Sequence, residues 1–372
     1  MLESIRDQVR QAQVLGRSLR LRGGDTKRFY GEPVRAEAEL DMRPYAGIVS
    51  YEPTELVITA RCGTPLAELE AAVAQERQML AFEPPHFGEG ATVGGMVAAG
   101  LSGPARASAG AVRDFVLGAV LMDARGELLN FGGQVMKNVA GYDAARLLAG
   151  SLGVLGPIVQ VSIKVLPLAA ACSTLEMPMD AGRALHLLNT WAGQPLPIAA
   201  SAWTGDRLLL RLQGAAAAVE AASSRFANSH GARAIEPQAA ESFWRALREH
   251  QLPVLGGLQG NAETQYDRGP SALWRVSVPS TAPGLALEPP AVIEWGGALR
   301  WIWSDRRAEE VRAAVAAVGG AAIRFDRHAP AADSNAPVLA PLAPAVLQLH
   351  RRLKQAFDPR GIFNPGRMHA EF

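Results

Sequence analysis

The chain has 372 residues, with 37 Lys+Arg against 36 Asp+Glu, 7 His, 2 Cys and 48% hydrophobic residues. That length accommodates two or three domains with real cores, and the composition excludes a disordered chain. A formal net charge of +1 excludes a dedicated nucleic-acid binder, which carries a basic excess or stripe.

Cys62 and Cys172 cannot build a zinc site by themselves and form no CxxC. No metal is expected, and a reducing, cytoplasmic compartment is. The amino terminus, MLESIRDQVR, is charged from residue 3 onward and has no apolar signal core. The most apolar stretch, 154–168, is interrupted by Gln160 and Lys164 and falls short of the ~18 apolar residues of a membrane span. Membrane contact is expected only indirectly, through a partner.

In chain order, Leu2, Ile5 and Val9 share one face of a predicted helix over the first 16 residues, with Gly16 as its stop. Residues 18–27, SLRLRGGDTK, read as a short alternating strand running into a Gly-Gly turn. A β-branched strand over 56–60 ends at Cys62-Gly63. Thr64 is expected to cap a helix with Pro65 at its first position, and Leu66, Leu69 and Val73 follow at helical spacing. Residues 88–110 differ in kind, with seven glycines in 23 positions against an average of ~7%. Strands over 115–122 and 127–131 flank Asp123-Ala-Arg-Gly126 as a β-hairpin. A helix is expected over 143–149. Residues 159–165 alternate Val and Ile with Gln160, Ser162 and Lys164 as a half-buried strand, closed by Pro167.

Beyond about residue 170 the chain becomes Ala-rich and less Gly-dense. Strand signals at 207–212, 273–278 and 291–303 and helix signals at 215–226 and 309–318 suit two βαββ-like stretches in one antiparallel sheet. A Pro/Ala-rich connection at 329–344 precedes a helix over 346–357 and the terminal FDPRGIFNPG.

The motifs first exclude. There is no HExxH, GxxxxGK[ST], EF-hand loop or GxSxG. Gly88-Glu-Gly-Ala-Thr-Val-Gly94 misses the GxGxxG fingerprint by one residue and follows a Pro-rich segment instead of a strand. The turn Gly23-Gly24-Asp25-Thr26-Lys27 is the first positive signal. Successive backbone N–H groups there can form an anion nest, with Lys27 or the Thr26 hydroxyl adding a bond; the plain alternative is a hairpin turn. Ala91-Thr92-Val93-Gly94-Gly95 is a second surface able to lie flat on a planar or phosphorylated ligand, or a buried Gly-rich loop. KNVAGYD at 137–143 and GSLGVLG at 150–156 are further loops of the same kind. Four such loops in the first 160 residues, with few catalytic-looking side chains, point to a large cofactor held mainly by backbone.

These segments in this order, LRGGDTK, YEPTELVITARCGTPLAELEAAV, PPHFGEGATVGGMVAAGLSGP, GAVRDFVLGAVLMDARGE and KNVAGYDAARLLAGSLGVLGPI, resemble the vanillyl-alcohol-oxidase-type (PCMH-type) FAD-binding superfamily. The terminal FDPRGIFNPGR resembles that superfamily's carboxyl-terminal signature. Within it, FEPPHFGEGATVGGMVAAGLSGP and FGGQVMKNVAGYD are similar to the smaller FAD-binding subunits of bacterial glycolate oxidases (glycolate dehydrogenases). The implied fold class is α+β. A two-subdomain PCMH-type FAD-binding domain (1–170) precedes an α+β cap domain with an antiparallel sheet (171–340) and a C-terminal segment (341–372) returning to the flavin.

The resemblance implies that Gly23, Gly24, Asp25, Thr26 and Lys27 cradle the FAD pyrophosphate. Thr92, Val93, Gly94, Gly95, Ser102 and Gly103 would run along pyrophosphate, ribityl and isoalloxazine, with Gly110 and Val112 nearby. Gly156 and Ile158 would contact the ribityl–adenine side, and Asn364 the isoalloxazine edge. Some members attach FAD through a histidine near the first Gly-Gly turn; this turn has neither His nor Cys, so non-covalent FAD is expected.

The related 2-hydroxy-acid dehydrogenases carry an HGDGNxH-like motif that this sequence lacks. The reaction needs a base for the hydroxyl proton and a cation for the carboxylate, and His86, His328, Arg300 and Arg324 are the candidates, each also readable as structural. Trp295, Trp301 and Trp303 sit in two strands around Gly296-Gly297, either as an aromatic wall or as core. Three readings follow. In the first, the chain is a flavoprotein subunit of a glycolate-oxidising complex, beside a catalytic flavoprotein subunit and an iron–sulfur subunit, peripheral at the inner membrane through those partners. The second is a self-sufficient FAD-dependent dehydrogenase of a small 2-hydroxy acid, D-lactate-like. The third is a structural subunit that keeps the fold without catalysis.

Overall fold

The computed structural model describes residues 1–133, 144–256, 271–325 and 336–371. It is an α+β protein that divides into two compact units. The first comprises Met1–Ser102, Ala111–Leu168 and Pro341–Phe372, and the second Gly103–Gly110 with Ala169–Ala340.

The first unit opens with helix Leu2–Leu15, whose apolar stripe buries Ile5, Val9 and Ala12. Gly16 stops it with φ 66°, and the Gly16 N–H returns to the Ala12 carbonyl. That stripe packs on Leu19, Leu40, Met42, Met122, Val159, Ile362 and Phe363, so the two ends of the chain share one core. Strands β1 (Leu19–Arg22) and β2 (Ala38–Asp41) form a parallel pair. A five-stranded sheet follows, built from β3 (Ile48–Glu52), β4 (Val57–Arg61), β6 (Val116–Met122), β7 (Leu128–Gly132) and β8 (Ile158–Lys164), in the order β3-β4-β8-β6-β7. Two short strands, β5 (Gln78–Met79) and β9 (Leu166–Pro167), pair outside it.

Three local expectations change. Thr64 is not a helix cap. Its hydroxyl donates to Arg61 O at 2.7 Å and accepts from Gly47 N at 2.8 Å, and the helix begins at Leu66, whose N–H bonds the Ala91 carbonyl. The helix expected over 143–149 is a five-residue 3₁₀ turn, Ala144–Leu148, with residue 143 outside the described residues. Strand β8 is more buried than its alternation predicts, because Ser162 meets Thr59 across the sheet, Oγ to Oγ1 at 2.8 Å, which satisfies both buried hydroxyls. The β6–β7 hairpin forms as read, its turn closed by the N–H groups of Arg125 and Glu127 on Asp123 Oδ1.

The second unit holds one eight-stranded sheet in the order β13-β10-β12-β11-β15-β16-β14-β17. The strands are β10 (Ala171–Pro178), β11 (Ile198–Thr204), β12 (Arg207–Gly214), β13 (Arg233–Ala234), β14 (Ala272–Ser277), β15 (Val292–Glu294), β16 (Leu299–Ser304) and β17 (Ala321–Arg324). The two βαββ-like stretches emerge as two half-sheets of matching strand order, β13-β10-β12-β11 and β17-β14-β16-β15. They join edge to edge through Ala202↔Glu294 and Trp203↔Ile293. Helices Ala181–Ala192 and Ala216–His230 pack the first half around Trp191, Leu208, Leu210 and Phe226, and helix Ala308–Ala316 packs the second around Trp274, Val276 and Ile302.

Candidate functional site

Strand β1 ends in Gly23-Gly24, and the surrounding backbone explains both glycines. A Cβ on Gly24 would stand 1.5 Å from Gly90 O, and one on Gly23 would stand 2.6 Å from Thr92 Oγ1. The turn therefore lies directly against the 88–92 loop, closer than any side chain allows. Asp25 continues with φ 58°, a left-handed conformation Asp tolerates better than most residues. Its carboxylate is held by Arg20 and lies 3.7 Å from Arg22 Nε, while the same arginines bind Glu39 at 3.1 and 2.8 Å. The hydrogen bond between Arg22 and Glu39 raises the pKa of the arginine and lowers that of the carboxyl. Two cations thus offset the two acids at the mouth of the turn.

The backbone N–H groups of Gly23, Gly24, Asp25 and Thr26 donate to no acceptor among the described residues. Such a row is an anion nest awaiting an acceptor. Lys27 points elsewhere: Nζ donates to His86 O at 3.1 Å and sits 5.7 Å from the Phe87 ring.

The 92–95 segment behaves differently. Val93 N bonds Thr64 O, Gly94 N bonds Cys62 O, and Gly95 N bonds the Thr92 hydroxyl. These donors are spent within the chain, so this segment offers a flat surface instead of hydrogen bonds. A Cβ on Gly94 would lie 2.8 Å from Cys62 Cβ. The following helix, Val93–Ala99, is zipped to the 150–152 loop by Gly150 N to Val97 O and Leu152 N to Ala98 O.

The carboxyl-terminal segment closes the site from below. Asn364, at φ 42°, accepts from Leu21 N with Oδ1 and donates to Leu152 O with Nδ2, both at 2.8 Å. Its own N–H bonds Leu19 O. Arg367 donates to the carbonyls of Glu32, Lys27 and Tyr30, and its burial pulls its pKa down to about 10. Behind them Lys354 Nζ reaches Asp358 Oδ2, Val154 O and Phe363 O at 2.7–2.8 Å. Two adjoining clefts result. One is lined by residues including Gly23, Gly24, Asp25, Thr26, Thr92 and Arg367. The other is lined by residues including Cys62, Gly94, Gly153, Gly156, Ile158 and Asn364.

The first unit therefore brings together Gly23 to Lys27, Thr92, Gly94, Gly95, Gly156, Ile158 and Asn364. Val93 is buried behind its neighbours. Ser102 accepts from Val112 N through Oγ at 3.2 Å. Gly103 and Gly110 belong to the second unit, where Gly103 O receives Trp295 Nε1 at 3.0 Å and Gly110 N bonds Arg106 O.

Of the proposed chemical side chains, His86 belongs to the first unit and Arg300 and Arg324 to the second. His86 Nε2 lies 2.8 Å from Glu70 Oε2. Arg300, 2% exposed, spends its guanidinium on the carbonyls of Gly297, Pro283 and Ala282, and burial lowers its pKa. Arg324 is buried on edge strand β17 opposite Trp274. His328 and the 137–143 motif lie outside the described residues. Of the tryptophans, Trp301 Nε1 donates to buried Glu294 at 2.7 Å and Trp303 Nε1 to Val254 O at 2.9 Å. Sequence reasoning missed Arg367, Lys354 and Asp358; the i, i+4 spacing of the last two at the end of helix Pro344–Phe357 was the available signal.

Two known protein families match parts of the chain. An FAD binding domain matches residues 2–132, and the C-terminal domain of FAD linked oxidases matches residues 306–368. Glycolate oxidase subunit GlcE of Escherichia coli (strain K12) is 43% identical over 369 residues, 99% of this chain and 97% of that protein. The chain belongs to the GlcE family of FAD-linked oxidases.

Other relatives of this GlcE-family chain share only part of it. A D-lactate dehydrogenase of Archaeoglobus fulgidus is 34% identical over 142 residues, covering 38% of this chain and 32% of that protein. Glycolate oxidase subunit GlcD of Bacillus subtilis (strain 168) is 31% identical over 129 residues, covering 34% and 27%. A solved structure of alkyldihydroxyacetonephosphate synthase superposes with a TM-score of 0.63 over 98% of this chain and 74% of that one, at 14% identity, which shows the shared fold.

Proposed function

We propose that this chain is the FAD-holding subunit of a complex that oxidises glycolate to glyoxylate and passes the electrons to a partner. The observation that carries the proposal is the open row of N–H donors at Gly23, Gly24, Asp25 and Thr26 facing a cleft, in a chain that matches GlcE along nearly its whole length.

FAD is the cofactor of this family, and the residues fit it. The four N–H groups suit a diphosphate, whose charge they would meet without a side-chain cation. The Cα surfaces of Thr92, Gly94 and Gly95, with Gly156 and Ile158 across the cleft, suit an extended, partly planar body. The fully bonded Asn364 side chain fixes β1 against the 150–156 loop, so its role is to hold the cradle's shape. Val93, Ser102 and Val112 support that wall. When bound, FAD supplies the two-electron acceptor; the chain's own residues bind it, orient it and exclude water. No His or Cys stands in the Gly23–Thr26 turn, so the attachment is non-covalent.

Glycolate oxidation releases two electrons, and a partner must take them. An iron–sulfur cluster needs several Cys ligands; Cys62 is buried and Cys172 exposed, so the cluster belongs to a separate iron–sulfur subunit. Among the described residues no helix is long and apolar enough to cross a membrane, and we place the chain at a membrane only through its partners.

The test is to purify the chain alone and together with its partner subunits. Expected are a yellow chain, flavin recovered in the supernatant after acid precipitation, and glycolate turnover only in the assembled complex. A colourless chain overturns the proposal in favour of a structural subunit. Sustained turnover by the chain alone, with an artificial acceptor, favours a self-sufficient dehydrogenase.

A further inference from the structure

Four cations line the cleft that the open N–H groups face: Arg20, Lys27, Arg28 and Arg367. Arg20 is paired with Asp25 and Glu39, Lys27 is turned to the His86 carbonyl, and Arg28 is exposed to solvent. Arg367 differs. Its part-buried guanidinium donates to the carbonyls of Glu32 at 2.7 Å, Tyr30 at 2.9 Å and Lys27 at 3.2 Å, and forms no ion pair with a carboxylate of the described residues. Its own carbonyl takes the Glu32 N–H at 2.9 Å, so backbone and side chain together grip the segment that follows the donor turn. Desolvation is the largest influence on its pKa and pulls it down to about 10; Arg20 and Arg28 act in the same sense, and Asp25 and Glu32 offset them only in part. A cation withdrawn from water without a counter-ion is costly, and an anion in the cleft would offset that cost.

The hydrogen bonds run from this guanidinium to the donor turn in series. Arg367 Nη2 donates to Lys27 O. The nitrogen of that same peptide group, Arg28 N, donates to Asp25 O at 3.1 Å. The nitrogen of the Asp25 peptide group is Thr26 N, one of the four open donors. A cation on an amide oxygen draws electron density from the amide nitrogen, and hydrogen-bonded amides in series polarise one another. The Tyr30 N–H, also on Lys27 O at 3.0 Å, adds in the same sense. The turn thus ends in an N–H polarised by a formal charge two peptide groups away.

We propose that Arg367 is a positioning residue for a diphosphate bound at the Gly23–Thr26 turn, strengthening the Thr26 N–H through the Lys27 and Asp25 peptide groups and supplying the counter-charge behind the nest. It does so without touching the anion, so the backbone makes the contacts and the far end of the chain supplies the charge. This role rests on the flavin reading above in one respect: on that reading the diphosphate is the one in FAD.

The test follows FAD release from the purified full chain on dilution, by flavin fluorescence, between about pH 6.5 and pH 9.5. Arg367→Gln is expected to release FAD about tenfold faster or more at every pH, as loss of a charge-assisted donor does. Arg367→Lys keeps the charge as an ammonium, whose ordinary pKa of about 10.4 burial lowers. At the acid end it is protonated and is expected to hold FAD within a few-fold of the parent. As pH rises it loses its proton, and release is expected to climb to the Arg367→Gln rate while the parent stays level. A residue that only packs shows no such climb. Parental release from Arg367→Gln, or no climb with Arg367→Lys beyond the parent's own course, overturns the role; if Arg367→Gln does not fold, the Arg367→Lys course decides by itself. Calorimetric titration with inorganic pyrophosphate separates this role from the flavin reading. A colourless parent that binds pyrophosphate, and binds it about tenfold more weakly as Arg367→Gln, overturns the flavin reading and leaves the role of Arg367 standing. A colourless parent that binds no pyrophosphate overturns both.

Discussion

Lys354 and Asp358 form an ion pair at 2.7 Å with 6% and 0% of their side-chain surfaces exposed. The pair is a knot. The ammonium also takes the carbonyls of Val154 and Phe363, and the carboxylate takes the N–H groups of Ile362 and Phe363. It thereby pins residues 362–363 to the 150–156 loop, which lines the cleft beside Gly94. Burial lowers the pKa of Lys354, yet the pairing keeps every charged atom bonded. Removing one partner leaves an uncompensated buried charge, which costs about 3–5 kcal/mol. Asp358→Ala and Lys354→Met are therefore each expected to shift the urea unfolding midpoint strongly downward, since either leaves its buried partner without a counter-charge. Equal midpoints for parent and Asp358→Ala would show the knot to be dispensable.

Asn364 ties three segments with three hydrogen bonds, to Leu21, Leu152 and Leu19. Asn364→Asp keeps the left-handed backbone preference and the acceptor toward Leu21 but cannot donate to Leu152 O. That carbonyl is left facing a carboxylate, an unpaired buried contact worth about 1–3 kcal/mol. The expected result is a protein that folds, melts earlier and releases flavin at least ten times faster on dilution. Flavin release at the parental rate would remove Asn364 from the cradle's support.

Turn chemistry made several elements legible in the sequence. Gly16, the Asp123 hairpin and the Gly23-Gly24 turn each depend on a few neighbouring residues whose backbone preferences are local. The β15–β16 hairpin was legible for the same reason. What stayed hidden depends on partners far along the chain. Lys354 gains its meaning from Val154, 200 positions away. Thr64 looks like a cap until Gly47 claims its hydroxyl. His86 and Arg300 look like chemistry until Glu70 and three carbonyls occupy them. The glycines of residues 23–24 and 88–110 were visible as clusters, but the division between open donors at Gly23 and Gly24 and spent donors at Gly94 and Gly95 is a tertiary fact.

Acid sensitivity is expected in the second unit. His230 packs edge-on against Trp191 at 5.1 Å and near Phe226. Burial lowers its pKa from the usual histidine value, and nearby Arg183 and Arg225 lower it further. The unfolded chain then takes the proton at a higher pH than the folded chain does. Stability is accordingly full above the unfolded histidine value and declines as pH falls toward the folded one. His369, also lowered mainly by burial, adds a similar slope in the first unit. Urea midpoints followed by tryptophan fluorescence are expected to drop between pH 7.5 and pH 5.5, and His230→Leu to flatten that drop. An unaltered slope in the variant would assign the sensitivity to other groups.

The two cysteines are expected to react unequally. Cys62 is 2% exposed, and burial alone pushes its thiol pKa well up, which suppresses the nucleophilic thiolate. Cys172 is exposed on β10. A thiol reagent at pH 8 is expected to titrate one thiol in the native protein and two in urea. Rapid reaction of both in the native state would mean that the wall behind Gly94 opens readily.

The glycines themselves can be sorted by experiment, because their neighbours differ. At Gly24 an added methyl would occupy the position of the Gly90 carbonyl, 1.5 Å away. Gly24→Ala must push the donor turn off the 88–92 loop, and the four N–H groups lose their common direction. At Gly150, with φ 88°, nothing lies within 4 Å of an added Cβ. Gly150→Ala therefore carries only the backbone penalty of a side chain at positive φ, about 1–2 kcal/mol. The first variant is expected to purify without flavin, at least tenfold below the parent in bound flavin per chain. The second is expected to remain yellow with a slightly lower melting temperature. If both lose flavin alike, backbone strain alone governs binding and the close contact between residues 24 and 90 is not what shapes the nest. If Gly24→Ala retains flavin, the pyrophosphate is held somewhere other than this turn.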